Sequence, residues 1–202
     1  MSLWRGKYPL ILASQSRARQ ALLANAGIGS EAVAAEIDER ALQQASGLSA
    51  PGEIAALLAR EKALAVSMRQ PVKFVIGADQ TLALGKRLFS KPSGRSQAAE
   101  QLRALTGRSH ELHSAVAVAR DGKILFESAD IARMTMRRLS EAEIEAYLNE
   151  AGEAVTTSVG AYQLEGLGIH LFERIEGDHF TILGIPLLPL LAFLRSERLL
   201  AV

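Results

Sequence analysis

Three stretches of this 202-residue chain carry residue types and spacings that could do chemistry. In PLILASQSRARQALL (9–23) an apolar run ends in Ser14 and Ser16, and Arg17 and Arg19 follow at the start of a helical pattern. The first turn of a helix directs unpaired N–H groups and positive dipole outward, so cations are disfavoured there unless an anion joins them. Arginine adds bidentate donors that suit phosphate oxygens. The stretch is not a glycine-rich phosphate loop, and spacing alone leaves two readings open: an anion site, or a Ser-capped helix with exposed arginines. In VIGADQT (75–81) the carboxylate of Asp79 follows a short buried strand, where α/β proteins place their ligands; an Asp capping a turn is the alternative. In the third stretch Glu36, Asp38 and Glu39 form an acidic trio that could offer oxygen ligands to a hard cation, or stay as solvated surface.

A hairpin in TLALGKRLFSKP (81–92) bears directly on Asp79. A two-residue Gly85-Lys86 turn pairs Gln80 with Lys91 and leaves Asp79 on the opposite face. A three-residue Gly85–Arg87 loop puts Asp79 and Lys91 on one face, an Asp–Lys pair able to handle a metal-bound phosphate and a water. Both registers fit the sequence. Lys62 lies on the flank of a helical apolar stripe, where a lysine ordinarily snorkels to solvent.

Several chemistries are excluded. The chain has no cysteine, which removes disulfides, thiolate zinc sites and cysteine nucleophiles and fits a cytoplasmic protein. Histidines 110, 113, 170 and 179 lack zinc-type spacing. No G-x-S-x-G elbow is present, and Ser14 and Ser16 have no adjacent base, which argues against covalent catalysis. With 23 basic and 22 acidic residues the net charge is +1, so no bulk field recruits duplex nucleic acid or an anionic membrane. Aromatics at 5% leave few stacking platforms for single strands. The apolar runs near both ends are too short for a signal peptide or a spanning helix.

The elements that must position these residues follow from periodicity and punctuation. LILAS (10–14) and VKFVIGADQ (72–80) read as buried strands, and 29–42 as an extended piece that carries the acidic trio. Helices are expected over 16–26, 50–68, 96–106, 140–151 and 187–200, the fourth with a Ser140–Glu143 capping box. Two long strands flank Asp121-Gly122, a loop of small residues covers 155–168, and a strand follows over 169–177. FTILGIP (180–186) reads as a buried strand end and a turn. The result is one α/β domain over 1–202, a mixed twisted sheet with flanking helices.

Taken in order, these motifs resemble the Maf family of nucleoside triphosphate pyrophosphatases over nearly the whole chain. The family's A-S-x-S-x-x-R and L-L are present as Ala13, Ser14, Ser16, Arg19, Leu22 and Leu23. Its D-E is Asp38-Glu39, and its L-A-x-x-K-A is Leu58, Ala59, Lys62 and Ala63. Its G-[AS]-D is Gly77-Ala78-Asp79, and its K-P is Lys91-Pro92. Its L-x-x-L-[ST]-G is Leu102, Leu105, Thr106 and Gly107. Its E-G, I-x-G-D and G-[IL]-P are Glu165-Gly166, Ile175 to Asp178 and Gly184 to Pro186. Each motif is weak alone; together, in register, they are specific.

The resemblance implies a Maf/ITPase-like fold with two lobes around a deep cleft, often a homodimer. It implies metal-assisted hydrolysis of a non-standard or surplus nucleoside triphosphate to monophosphate and pyrophosphate, a house-cleaning activity using Mg²⁺ or Mn²⁺. On that pattern Asp79 is the general base, Glu39 and Asp79 hold the metal, and Ser14, Arg19, Lys62 and Lys91 grip the triphosphate. The family's link to septum formation offers a second reading, a nucleotide-binding regulator of cell division with little turnover. The chain also departs from the common pattern. Arg17 stands at a usual proline and inherits no role, and the Asp-Lys pair that often precedes G-A-Y is missing. Glu165 replaces a Gln. With Asp79-Gln80 these departures look closer to the branch acting on 7-methyl-GTP, since a carboxylate can accept from the N–H groups of a guanine edge.

Overall fold

The computed structural model describes residues 3–202. β1 (Leu10–Leu12) is wholly buried, and α1 (Arg17–Asn25) starts at Ser16, whose hydroxyl accepts the Arg19 N–H. β2 (Ser30–Ala32) and α2 (Glu39–Ser46) follow, α2 capped by Asp38 and closed by Gly47 at a φ of 66°. α3 (Pro51–Arg69) opens on a proline in its first turn. β3 (Val75–Leu84), β4 (Arg87–Phe89), α4 (Arg95–Leu105), β5 (Ser109–Arg120), β6 (Lys123–Met136) and α5 (Glu141–Ala151) come next. Three 3₁₀ turns over Gly152–Thr156, Val159–Ala161 and Leu167–Leu171 lead to β7 (Phe172–Glu176), α6 (His179–Ile182) and α7 (Leu187–Ser196).

The seven strands form a mixed sheet in the order β2-β1-β3-β5-β6-β7, with β4 paired to β3. β1 runs parallel to β2 and β3; β3–β4 and β6–β7 are antiparallel. The α/β class and the long helices agree with the sequence reading. Three details differ. Residues 29–42 are not one extended piece: α2 begins at Glu39 with Asp38 as its cap, and it has no fully buried residue. The strand ending at Asp79 and the first arm of the hairpin are one strand, β3. The segment before Gly184 contains α6 rather than a strand end.

The chain divides into two compact units, and β3, β5 and β6 each pass from one into the other. The first unit comprises residues up to Gln80, Ser114–Asp130 and Leu183–Val202. In it Ala55, Ala59 and Ala63 of α3 pack on Ala115, Ala117 and Ala119 of β5. Methyl groups on both surfaces bring the helix close to the sheet, and Gly77 of β3 has no side chain at all beneath Ala59 and Ala63.

The second unit comprises Thr81–His113 and Ile131–Ile182. Leu102, Leu105, Met134, Met136, Ile144 and Leu148 are among its core residues. The capping box forms as expected, Ser140 accepting the Glu143 N–H while Glu143 accepts the Ser140 N–H. Gln101, buried, donates to the Ser90 carbonyl at 2.9 Å and accepts the Gly160 N–H at 3.0 Å, so one amide ties the chain after β4 to the loop after α5.

His110 is buried with its Nε2 2.7 Å from the Tyr162 hydroxyl, and desolvation lowers its pKa to about 4. Its folded pKa lies below the ordinary 6.5, so the folded state takes up its proton later than the unfolded state as pH falls. The stability this contributes is present above pH 6.5 and is lost as pH falls toward 4, about 3 kcal/mol in all. Urea midpoints for His110→Gln, taken between those limits, should show a shallower acid slope than the unmodified chain.

Candidate active site

β1 ends as the chain turns through Ala13 and Ser14 into α1, and parallel β3 continues past it through Ala78 to Asp79. The middle of β3 and the turn from β1 into α1 thus lie next to each other in one unit. Asp79 is 7% exposed and Lys62 8% exposed, which takes Lys62 out of the solvent that its flank position suggested. Lys62 Nζ lies 2.6 Å from Asp79 Oδ1 and 2.8 Å from Glu39 Oε1. Glu39 reaches this point from the first turn of α2, and its side chain is half exposed.

Arg19 completes the cluster from α1. Its Nε donates to the Gly184 carbonyl at 2.9 Å, and its Nη1 donates to the Ala78 carbonyl at 2.9 Å and to Ser14 Oγ at 3.3 Å. Ser14 Oγ also accepts the Ser16 N–H at 3.2 Å. The guanidinium therefore clamps the peptide next to Asp79 and leaves Nη2 without a hydrogen bond to another described residue. Burial lowers the pKa of Arg19, while Asp79 and Glu39 act to raise it. Burial likewise raises the pKa of Asp79, and Lys62 and Arg19 oppose that by favouring the carboxylate. A carboxylate so placed is a stronger base than one in water.

Five of the residues singled out from the sequence, Ser14, Arg19, Glu39, Lys62 and Asp79, therefore meet in the first unit. The acidic trio does not stay together. Glu36 pairs with Arg69 at the end of α3, Asp38 caps α2 by accepting the Ala41 N–H at 2.9 Å, and only Glu39 joins the cluster. Arg17 is exposed on the first turn of α1, and nothing in the structure explains it. The hairpin takes the two-residue turn, with Leu82 opposite Phe89 and Leu84 opposite Arg87, so its register is not the one that puts Asp79 and Lys91 on one face. Lys91 lies beyond β4, exposed, in the second unit. Glu165 is also exposed and in that unit, just ahead of the 3₁₀ turn Leu167–Leu171.

Two contributors escaped the sequence reading, the backbone carbonyls of Ala78 and Gly184 that seat Arg19. Backbone acceptors leave no composition signal, although both residues lie in quoted motifs.

The donor set suits a hard divalent cation in one respect. The carboxylates of Glu39 and Asp79 converge on a single cationic group, here the Lys62 ammonium. Among the described residues, no group of three or more His, Cys, Asp or Glu could hold a metal. Two carboxylate ligands fit an ion such as Mg²⁺ that completes its shell with water and substrate phosphates. No helix of the described residues is long and apolar enough to cross a membrane.

Comparison with known proteins identifies the family. The family described as Maf-like protein matches residues 9–197. A Bradyrhizobium diazoefficiens protein named nucleoside triphosphate pyrophosphatase is 73% identical over 202 residues, covering 100% of both chains. A Rhodopseudomonas palustris protein of the same name is 67% identical over 201 residues, again covering 100% of each. A Rhizobium meliloti protein named 7-methyl-GTP pyrophosphatase is 53% identical over 190 residues, 93% of this chain and 95% of that one. A family match from β1 through the last helix, with relatives of 67% and 73% identity over whole chains, places this chain in the Maf-like protein family.

Proposed function

We propose that the chain is an acid-anhydride hydrolase that converts a nucleoside triphosphate to its monophosphate and pyrophosphate. The observation that carries this reading is the cluster midway along β3: a buried carboxylate paired with a buried lysine, and a part-buried arginine on the adjoining peptide, beside a serine-rich helix start. Phosphoryl transfer needs positioning and charge neutralisation far more than a covalent nucleophile, and the site offers those. The relatives named as pyrophosphatases support the same class.

In this reading Lys62, Ser14 and the free edge of Arg19 hold phosphate oxygens. Asp79 takes the proton of the water that attacks the α-phosphorus, so the α–β bridging bond breaks and pyrophosphate leaves. Glu39 and Asp79 hold Mg²⁺ or Mn²⁺, and the cation, when bound, neutralises charge on the phosphates and on the leaving pyrophosphate. The roles of Lys91 and Glu165 belong to the same proposal, Lys91 toward the triphosphate and Glu165 toward the base. For the base we favour a 7-methylated guanine: Glu165 stands where a Gln is common, and a relative at 53% identity is named for 7-methyl-GTP.

A panel of nucleoside triphosphates with Mg²⁺ and Mn²⁺ tests this, scoring pyrophosphate against phosphate release. Pyrophosphate is the expected product, and kcat/KM is expected to be higher on 7-methyl-GTP than on dTTP or UTP. Phosphate release would overturn the attack at the α-phosphorus, and a clear dTTP preference would overturn the assignment of the base.

A further inference from the structure

The point on which the two carboxylates converge already holds a cation. Lys62 Nζ is 2.8 Å from Glu39 Oε1 and 2.6 Å from Asp79 Oδ1, with hydrogen-bonding distance on both sides. Lys62 belongs to the middle of α3, and the alanines beside it, Ala59 and Ala63, are pressed against the sheet. Its backbone is therefore fixed, and only rotation of the side chain can move the ammonium. Among the described residues no third acidic or histidine ligand stands by to strengthen metal binding.

A divalent ion arriving alone must displace that ammonium from both carboxylates. The displaced charge would remain largely buried without a partner, a costly arrangement. An ion arriving with a polyphosphate meets a different balance, because the phosphate oxygens accept from the ammonium just as the carboxylates lose it. We propose that Lys62 is an internal counter-ion that keeps the Glu39–Asp79 pair closed to free divalent metal and opens it to metal accompanied by polyphosphate. Metal and nucleotide then bind as a coupled pair, and by linkage each raises the affinity for the other. This rests on the reading of the cluster as a metal-assisted nucleotide pyrophosphatase site.

Mn²⁺ titrations of the nucleotide-free full chain, followed by electron paramagnetic resonance and calorimetry, test it. The unmodified chain is expected to bind Mn²⁺ weakly. Lys62→Met should bind it about tenfold more tightly or better, a coupling within the usual range. Lys62→Arg keeps the charge and should stay as weak as the parent. The gain should vanish in Lys62→Met combined with Asp79→Asn. Lys62→Gln serves if the Met variant fails to fold by circular dichroism. No gain in either neutral variant, tight binding by the unmodified chain, an equal gain in the Arg variant, or a gain surviving loss of Asp79 would each overturn the proposal. Pyrophosphate release by the unmodified chain is scored separately. Its absence refutes the functional reading, whereas an active chain whose neutral variants gain no Mn²⁺ affinity refutes the counter-ion alone.

Discussion

Asp79→Asn is expected to lower metal-dependent pyrophosphate release by roughly 10²–10⁴-fold, the range that removal of a general base produces, while the fold persists. The substitution keeps size and one acceptor oxygen but removes the charge and the proton affinity. The structural loss is small for a physical reason. Burial already disfavours the ionised form of Asp79, and Lys62 keeps Glu39 as an ion-pair partner when the aspartate charge is gone. Arg19 is held by the carbonyls of Ala78 and Gly184 and needs no carboxylate to stay in place. Single-turnover and steady-state pyrophosphate assays, beside a urea midpoint, separate the two effects. A folded Asn variant within tenfold of the parent rate would remove Asp79 from the chemistry.

Gly77→Ala should be the most damaging small substitution to stability, about 3 kcal/mol or more. A Cβ at this position would stand 2.1 Å from the Ala59 carbonyl oxygen and 2.6 Å from the Ala63 backbone nitrogen. Both are backbone atoms of α3, so no side chain can rotate away and the helix itself must retreat. The backbone of Gly77 is not at positive φ, so the demand is for space rather than for an unusual conformation. Retreat of α3 would open the alanine contact with β5 and move Lys62 relative to Asp79. Urea midpoints and pyrophosphate release should therefore fall together in this variant. A midpoint loss under about 1 kcal/mol would show that the helix can withdraw cheaply.

The two variants also mark how far the residues could be read before folding. Asp79 was legible because a carboxylate after a short apolar run stands where α/β proteins place ligands, and the arginines because a cation at a helix start calls for an anion, the family motif then singling out Arg19. Lys62 was legible only through the family motif, since on its own pattern it is a snorkelling lysine. The acidic trio was open to two readings and divides between them: a helix cap and an ion pair with Arg69 take Asp38 and Glu36 away, and only Glu39 reaches Lys62. α2 was missed because its eight residues span only about two turns, too short a window for a helical period to stand out against an extended reading. The turn between β3 and β4 allowed two registers, and pairing chose the one that does not put Asp79 and Lys91 on one face.

By itself the sequence determined the α/β class, most element positions and the family, and it singled out the five residues that the structure gathers in the first unit. These follow from local periodicity, turn residues and ordered motifs, all of which act over a few residues at a time. Only the tertiary structure decided that Lys62 joins Glu39 and Asp79, that Arg19 is seated by the carbonyls of Ala78 and Gly184, and that Gly77 lies under α3. Those facts depend on residues up to 165 positions apart in the chain. Ion pairing and steric exclusion act through space at a few ångströms, and no local pattern in a sequence records which distant groups will meet there.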